Sequence, residues 1–87
     1  MVREYRFCER RWRVDLANVE HKLAVEIEGG VWVGGRHNRP AGFLSDMEKY
    51  NRLTLLGWRL LRFTPHSCIN GTAVKVVRQA LGISDSV

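Results

Sequence analysis

Hydrophobic and polar residues alternate along the first part of the chain. In residues 3–7 and 11–17 the alternation has a period of two, which predicts two half-buried strands that pair as a hairpin. Residues 22–28 alternate in the same way and predict a third strand, which ends at two glycines. Its apolar positions share one face, so Glu26 and Glu28 lie together on the opposite face.

A loop and an amphipathic helix are predicted after the third strand. Residues 31–42 are rich in Gly, Asn and Pro, a composition that favours a loop, and loops of this length in small domains are usually functional. Residues 43–56 carry apolar side chains at helical spacing, and Gly57 predicts the end of this helix. Lys49 and Arg52 fall on a different face. The predicted apolar stripe consists of Phe43, Met47, Tyr50 and Leu53.

The last third of the chain predicts one strand and one helix. Residues 58–64 are aromatic and aliphatic, which is typical of a buried strand, and Pro65 ends it. Asn70 is the predicted N-cap of a helix over residues 72–81. The side chains predicted to face inward from this helix are Val74, Val77 and Leu81.

This order of elements predicts an α/β fold with a mixed β-sheet. Three antiparallel strands are followed by a crossover helix, a fourth strand and a C-terminal helix. The chain has 87 residues, a length at which folding hides only about 60% of the unfolded surface, so one thin core is expected. Residues 1–83 are predicted to form a single domain and residues 84–87 a short flexible tail.

Composition narrows the class of protein. Hydrophobic residues make up 45% of the chain and charged residues 26%, the balance of a globular domain rather than a disordered segment. No apolar run approaches the roughly 20 residues needed to cross a bilayer, and none resembles a signal peptide, so a cytoplasmic location without membrane association is expected. Cys8 and Cys68 lack the spacing of a zinc site, and both are expected to be free thiols.

The formal net charge of +5 indicates an anionic partner, because Lys and Arg gain free energy by neutralising phosphates. The charge is unevenly distributed. Between residues 31 and 62 the acidic residues are only Asp46 and Glu48, and the basic residues are Arg36, Arg39, Lys49, Arg52, Arg59 and Arg62. This segment therefore favours nucleic acid as the partner.

Three carboxylates are predicted to converge if the second and third strands are neighbours: Asp15, Glu26 and Glu28. Carboxylates at such a short distance repel and raise one another's pKa, and a bound cation relieves the repulsion. Hard oxygen ligands suit Mg²⁺ or Mn²⁺, and such a metal hydrolyses a phosphodiester through bound water, without a covalent nucleophile. In the alternative interpretation these carboxylates are solvent-facing strand residues paired with arginines.

Two runs of the sequence resemble a known superfamily of nucleases. They are RWRVDLANVEHKLAVEIEGG and GRHNRPAGFLSDMEKYNRLTLLGWRLLRFT, and the likeness covers residues 4–64. They resemble the PD-(D/E)XK, or restriction-endonuclease-like, superfamily, in particular its small phage and bacterial endonucleases near the very-short-patch-repair branch. The resemblance implies Mg²⁺- or Mn²⁺-dependent hydrolysis of DNA in a bacterial cell or phage-infected host. It also implies that Asp15 and Glu26 are metal ligands.

The chain departs from the superfamily pattern at one position. The usual lysine two residues after the ligand Glu is Glu28 here, which leaves the general base open. Some restriction enzymes of the superfamily carry Glu at this place, and Lys49 on the following helix is a candidate to supply the missing cation. Glu4 matches an accessory acid that often precedes the core. By the same resemblance, His37 is a candidate general base or phosphate contact.

The DNA contacts are expected in the predicted loop and on the polar face of the helix that follows. The candidates for the phosphate backbone are Arg36, Arg39, Lys49 and Arg52, and Trp32 is a candidate to stack on a base. A homodimer is a further expectation, and no organic cofactor is expected. Two other functions remain open, a non-catalytic DNA-binding module and a degenerate nuclease subunit.

Overall fold

A computed structural model gives the fold, and it describes residues 1–28 and 40–83. The elements are β1 (Val2–Tyr5), β2 (Val14–Asn18), β3 (Leu23–Ile27), α1 (Pro40–Leu55), β4 (Arg59–Phe63), α2 (Pro65–Ile69) and α3 (Thr72–Ala80). The four strands form one mixed sheet in the order β1-β2-β3-β4. The first three strands are antiparallel, and β4 is parallel to β3. The predicted α/β architecture with a four-stranded mixed sheet is therefore confirmed.

The direction of the strands decides which ends of the elements meet. β4 returns parallel to β3, which requires a crossover, and α1 provides it. The end of β1, the start of β2 and the ends of β3 and β4 therefore lie side by side at one end of the sheet. We call this end, where the strand termini meet, the upper edge. In the β2–β3 pair Leu16 lies opposite Val25, so Asp15 lies opposite Glu26 near this edge.

The core lies where α1 packs across the sheet. Leu53 of α1 is 1% exposed and belongs to one buried cluster with Ala17, Ala24 and Trp58. Both faces of β3 are covered, because Leu23 and Val25 are buried as well as Ala24 and Glu26. Strand β3 is therefore a central strand, and its nearly continuous apolar sequence is typical of strands buried on both faces.

A short helix that the sequence pattern did not predict follows β4. Thr64 is the N-cap of α2, and its hydroxyl oxygen accepts a hydrogen bond from the Ser67 N–H at 3.2 Å. Pro65 ends the strand as predicted, but it also opens this helix, because the fixed φ of proline suits the first helical turn and its missing N–H is not needed there.

The last helix begins and packs differently from the prediction. Gly71, with a φ of 88°, occupies the N-cap position that was predicted for Asn70, although the Asn70 side-chain oxygen accepts a hydrogen bond from the Thr72 N–H at 2.9 Å. Val74 was predicted to face inward and is 57% exposed, whereas Ala73 is the buried residue of the helix. Val77 and Leu81, the other two residues predicted to face inward, are half-buried, so only Val74 is misplaced.

Several predicted boundaries also shift. Helix α1 begins at Pro40 rather than at residue 43, since proline is favoured in the first turn of a helix. Strand β2 begins at Val14 rather than at residue 11. Residues 31–39 of the loop predicted over residues 31–42, the two glycines before it and the predicted tail, residues 84–87, lie outside the described residues.

The described residues include no helix that is long and apolar enough to cross a membrane. Cys8 is half-buried, Cys68 is exposed, and both are free thiols.

Truncation of Leu53 tests the packing of α1 on the sheet. We expect Leu53→Ala to lower the free energy of unfolding by about 2–5 kcal/mol, because the change leaves a cavity in a thin core. Leu55 lies on the same helix and is 82% exposed, so Leu55→Ala is the matched control, with an expected change within about 0.5 kcal/mol. Urea unfolding measures both. Equal effects in the two variants would mean that α1 does not pack through Leu53.

Candidate active site

The β2–β3 pair brings two of the predicted carboxylates together. The Asp15 N–H donates a hydrogen bond to Glu26 Oε2 at 3.2 Å, and the Ile27 N–H donates one to Asp15 Oδ2 at 2.7 Å. The backbone pairing of the two strands ends at Leu16 and Val25. Beyond this point the carboxylates of Asp15 and Glu26 accept hydrogen bonds from N–H groups of the neighbouring strand. Asp15 and Glu26 are therefore held at the upper edge by the sheet itself.

Helix α1 adds a cation to this pair. Lys49 Nζ forms an ion pair and a hydrogen bond with Glu26 Oε1, and the Tyr50 hydroxyl donates a weaker hydrogen bond to the same oxygen at 3.4 Å. The pair is nearly enclosed, because the Lys49 side chain is 13% exposed and the Glu26 side chain 8%. Lys49 and Leu53 are one helical turn apart, so the residue that anchors α1 in the core also places Lys49 over the sheet.

Burial dominates the electrostatics of Glu26. It raises the pKa of this carboxyl above 4.5, and the nearby charge of Asp15 acts in the same direction, while the hydrogen bond and charge of Lys49 oppose the rise. The pKa of Tyr50 is also raised, first by burial and then by the charges of Glu26 and Glu28. Tyr50 therefore stays protonated at neutral pH and serves as a hydrogen-bond donor.

Glu28 lies beside an arginine rather than in a cluster with the other two carboxylates. Its Oε1 accepts a hydrogen bond from Arg62 at 2.5 Å, and this bond is the main cause of the raised pKa of Arg62. The Arg62 guanidinium carbon also lies 4.9 Å from the centre of the Tyr50 ring. Within residues 1–28 and 40–83, no three His, Cys, Asp or Glu side chains group closely enough to hold a metal ion. The structure thus joins Asp15 to Glu26 and pairs Glu28 with Arg62.

The structure describes only some of the residues that were predicted to contact DNA. Lys49, expected on a polar face of the helix, is directed into the site. Arg52 forms an ion pair with Glu9 at 2.8 Å. Glu4 lines a shallow cleft with Arg3 and Asp15, which places the predicted accessory acid beside the site. The other candidates lie outside the described residues: Trp32, Arg36, His37 and Arg39.

Sequence reasoning missed two members of this site. Tyr50 was assigned only to the apolar face of α1, and Arg62 only to the basic composition. Strand alternation carried a signal for Arg62. In a parallel pair, side chains at matching positions of the two strands point to the same face, and Arg62 lies opposite Glu26 in the register of β3 and β4. Using that signal requires knowing that β3 and β4 are adjacent.

The donor atoms of Asp15 and Glu26 suit a hard divalent cation. Mg²⁺ is commonly held by one or two carboxylates, with water and substrate phosphate completing its coordination. Asp15 and Glu26 supply two such carboxylates at the edge of the sheet. Lys49 already pairs with Glu26, so the lysine and such an ion would balance the same buried charge.

Comparisons of this chain with models of protein families, with curated proteins and with solved structures find no match.

Proposed function

We propose that this protein is a Mg²⁺- or Mn²⁺-dependent endonuclease of the restriction-endonuclease-like type, which hydrolyses DNA phosphodiester bonds with water. The observation that carries the proposal is the buried Glu26, held between the Asp15 backbone on one side and the Lys49 ammonium on the other. A carboxylate pair with an adjacent lysine is the set of groups that the resemblance implies.

In this proposal Asp15 and Glu26 hold the metal. The ion would supply a bound water of lowered pKa and would neutralise charge on the scissile phosphate. Lys49 takes the place of the lysine that is absent at position 28, because it reaches Glu26 from α1 instead of from β3. In this role its ammonium would orient a water molecule or contact a phosphate oxygen that approaches the two carboxylates.

Tyr50, Arg62 and Glu28 support the site in this proposal. The Tyr50 hydroxyl donates to Glu26 and leaves the other carboxylate oxygen to the Asp15 side. The Arg62 side chain stacks against the Tyr50 ring and neutralises Glu28, whose charge acts on the Tyr50 hydroxyl. These three residues therefore act by positioning the groups that touch the metal and the substrate.

Metal removal is the direct test of this function. With Mg²⁺ or Mn²⁺ the purified protein is expected to nick supercoiled plasmid. With excess EDTA nicking should stop, because the ion that would activate the water and neutralise charge on the scissile phosphate is removed. Restoring the metal should restore nicking. If the protein binds DNA equally well with and without metal and never cuts it, the non-catalytic DNA-binding alternative replaces the nuclease.

A further inference from the structure

Five arginines lie on β1 and on the connection between β1 and β2. They are Arg3, Arg6, Arg10, Arg11 and Arg13, and all are exposed. The segment from Met1 to Arg13 contains only two acidic residues, Glu4 and Glu9, so its side chains carry a net charge of +3. We call these five arginine side chains the arginine surface. The sequence pattern alone gave them no role.

The charge of the arginine surface is largely uncompensated. Glu9 pairs with Arg52 of α1 at 2.8 Å, and this hydrogen bond lowers the pKa of the Glu9 carboxyl, so its charge is already balanced from outside the segment. No arginine of the surface forms an ion pair with an acid in the described ranges. The surface therefore presents a positive charge that an anionic partner can neutralise.

The connection between β1 and β2 is held by residues that alternate with the arginines. Phe7 is buried in the core cluster, and Trp12 packs against that cluster while its indole N–H donates to the Ser45 hydroxyl at 3.4 Å. The Arg10 guanidinium carbon lies 4.1 Å from the centre of the Trp12 ring. A connection anchored in this way loses little conformational freedom when its exposed side chains bind a partner.

The arginine surface lies next to the candidate active site. Tyr5 pairs with Val14, so the connection leaves the sheet at the upper edge, directly beside Asp15. Arg3 lines the same shallow cleft as Asp15. A polyanion that reaches the carboxylates from this side would pass over the arginines.

We propose that the arginine surface binds the phosphate backbone of the DNA duplex whose scissile phosphate enters the site at Asp15 and Glu26. This rests on the proposed function, since it takes DNA as the substrate, and it places a DNA grip on the β1–β2 side of the site. Guanidinium groups suit this role because they donate two parallel hydrogen bonds to phosphate oxygens. Contacts of this kind set affinity and orientation without reading the base sequence.

The test compares two variants that lose the same charge at different places. Arg11→Gln/Arg13→Gln removes two arginines of the surface and spares Arg10, which stacks on Trp12. The control, Arg59→Gln/Lys75→Gln, removes two exposed basic residues, one at the opposite edge of the sheet and one on α3. Binding of a fluorescent DNA duplex is measured by anisotropy in EDTA, over a range of about 50 to 200 mM salt, so that no cleavage occurs.

We expect the slope of log K against log salt to fall in magnitude by about 1.8 in the arginine variant, at about 0.9 for each lost phosphate contact. Each contact corresponds to about an eightfold loss of affinity at about 0.1 M salt. The control should keep its slope. An unchanged slope in the arginine variant, or an equal fall in both variants, would overturn the proposed surface.

The failure of this proposal and the failure of the proposed function give different results. If wild type binds and cuts DNA while the arginine variant keeps the wild-type slope, only the arginine surface is wrong. If wild type neither binds nor cuts DNA, the nuclease function fails and the surface fails with it. Thermal unfolding should be similar in all three proteins, because every substituted side chain is exposed.

Discussion

Asp15→Asn is expected to reduce metal-dependent DNA cleavage by at least about 100-fold, since even the loss of a group that only orients a metal ligand typically costs roughly 10–100-fold. The fold should survive this change. Asp15 Oδ2 accepts the Ile27 N–H at 2.7 Å, and an amide oxygen at that place still accepts it. What disappears is the negative charge that attracts the cation. The substitution therefore separates the metal role of Asp15 from its structural role.

Plasmid nicking in Mg²⁺ and in Mn²⁺ measures this effect, and calorimetric titration with Mn²⁺ measures the loss of metal binding directly. The matched control is Glu48→Gln, which neutralises an exposed acid on α1, next to Lys49 in sequence, and should cut like wild type. Duplex binding in EDTA should be retained by both variants. Nicking by Asp15→Asn at the wild-type rate would exclude Asp15 as a metal ligand and remove the basis of the proposed site.

Lys49→Met is expected to affect both stability and cleavage. The change leaves the Glu26 carboxylate buried without its counter-charge, and breaking a buried ion pair from one side typically costs about 3–5 kcal/mol of unfolding free energy. Cleavage should fall because the cation beside the metal ligands is lost, while duplex binding in EDTA should remain. Methionine matches much of the lysine stem, so the apolar packing of α1 is largely kept.

The loss of stability in Lys49→Met should depend on pH in a definite direction. The pKa of Glu26 is already raised in the folded protein, and removing Lys49, which lowers it, raises it further. A carboxyl with a raised pKa binds its proton more tightly in the folded than in the unfolded chain, so stability falls as pH rises above 4.5 through the folded pKa. The deficit relative to wild type should therefore be largest near neutral pH and shrink as acid protonates Glu26.

Urea unfolding from mildly acidic to mildly alkaline pH tests this dependence. Lys75→Met is the control. Lys75 is exposed on α3, so its loss should change the free energy of unfolding by no more than about 0.5 kcal/mol. The double variant Glu26→Gln/Lys49→Met removes the buried charge and should recover part of the stability. A deficit in Lys49→Met that stays constant over the pH range would show that lost packing, and not the ion pair with Glu26, is responsible.

The alternation from Arg3 to Glu28 was enough to predict the first three strands and the faces of their side chains. A period of two leaves no freedom in which residues share a face, and the short connections of this region favour antiparallel neighbours. These two facts bring Asp15 close to both Glu26 and Glu28, and the register of the β2–β3 pair places Asp15 opposite Glu26. The parallel return of the fourth strand followed from the helical segment placed between it and the third.

The environment of Lys49 was decided only by the tertiary structure. On α1 the predicted apolar stripe ran through Met47, Tyr50 and Leu53, but Met47 is 48% exposed and the inward face turns toward Lys49. Lysine has a long apolar stem, so it is tolerated at the border of an apolar face, and helical spacing does not tell whether it points to solvent or inward. The packing of α1 against β3, next to the charge of Glu26, determines its direction.

The partner of Glu28 depended on tertiary structure for a related reason. Alternation places Glu26 and Glu28 on one face of β3, and from the sequence both were equally suited to a metal. Only the parallel pairing of β3 with β4 brings Arg62 within 2.5 Å of Glu28. Pairing between strands that lie far apart in the sequence depends on how the whole chain packs, which local periodicity does not encode. The sequence therefore determined which carboxylates share a face, and the tertiary structure determined which cation neutralises each of them.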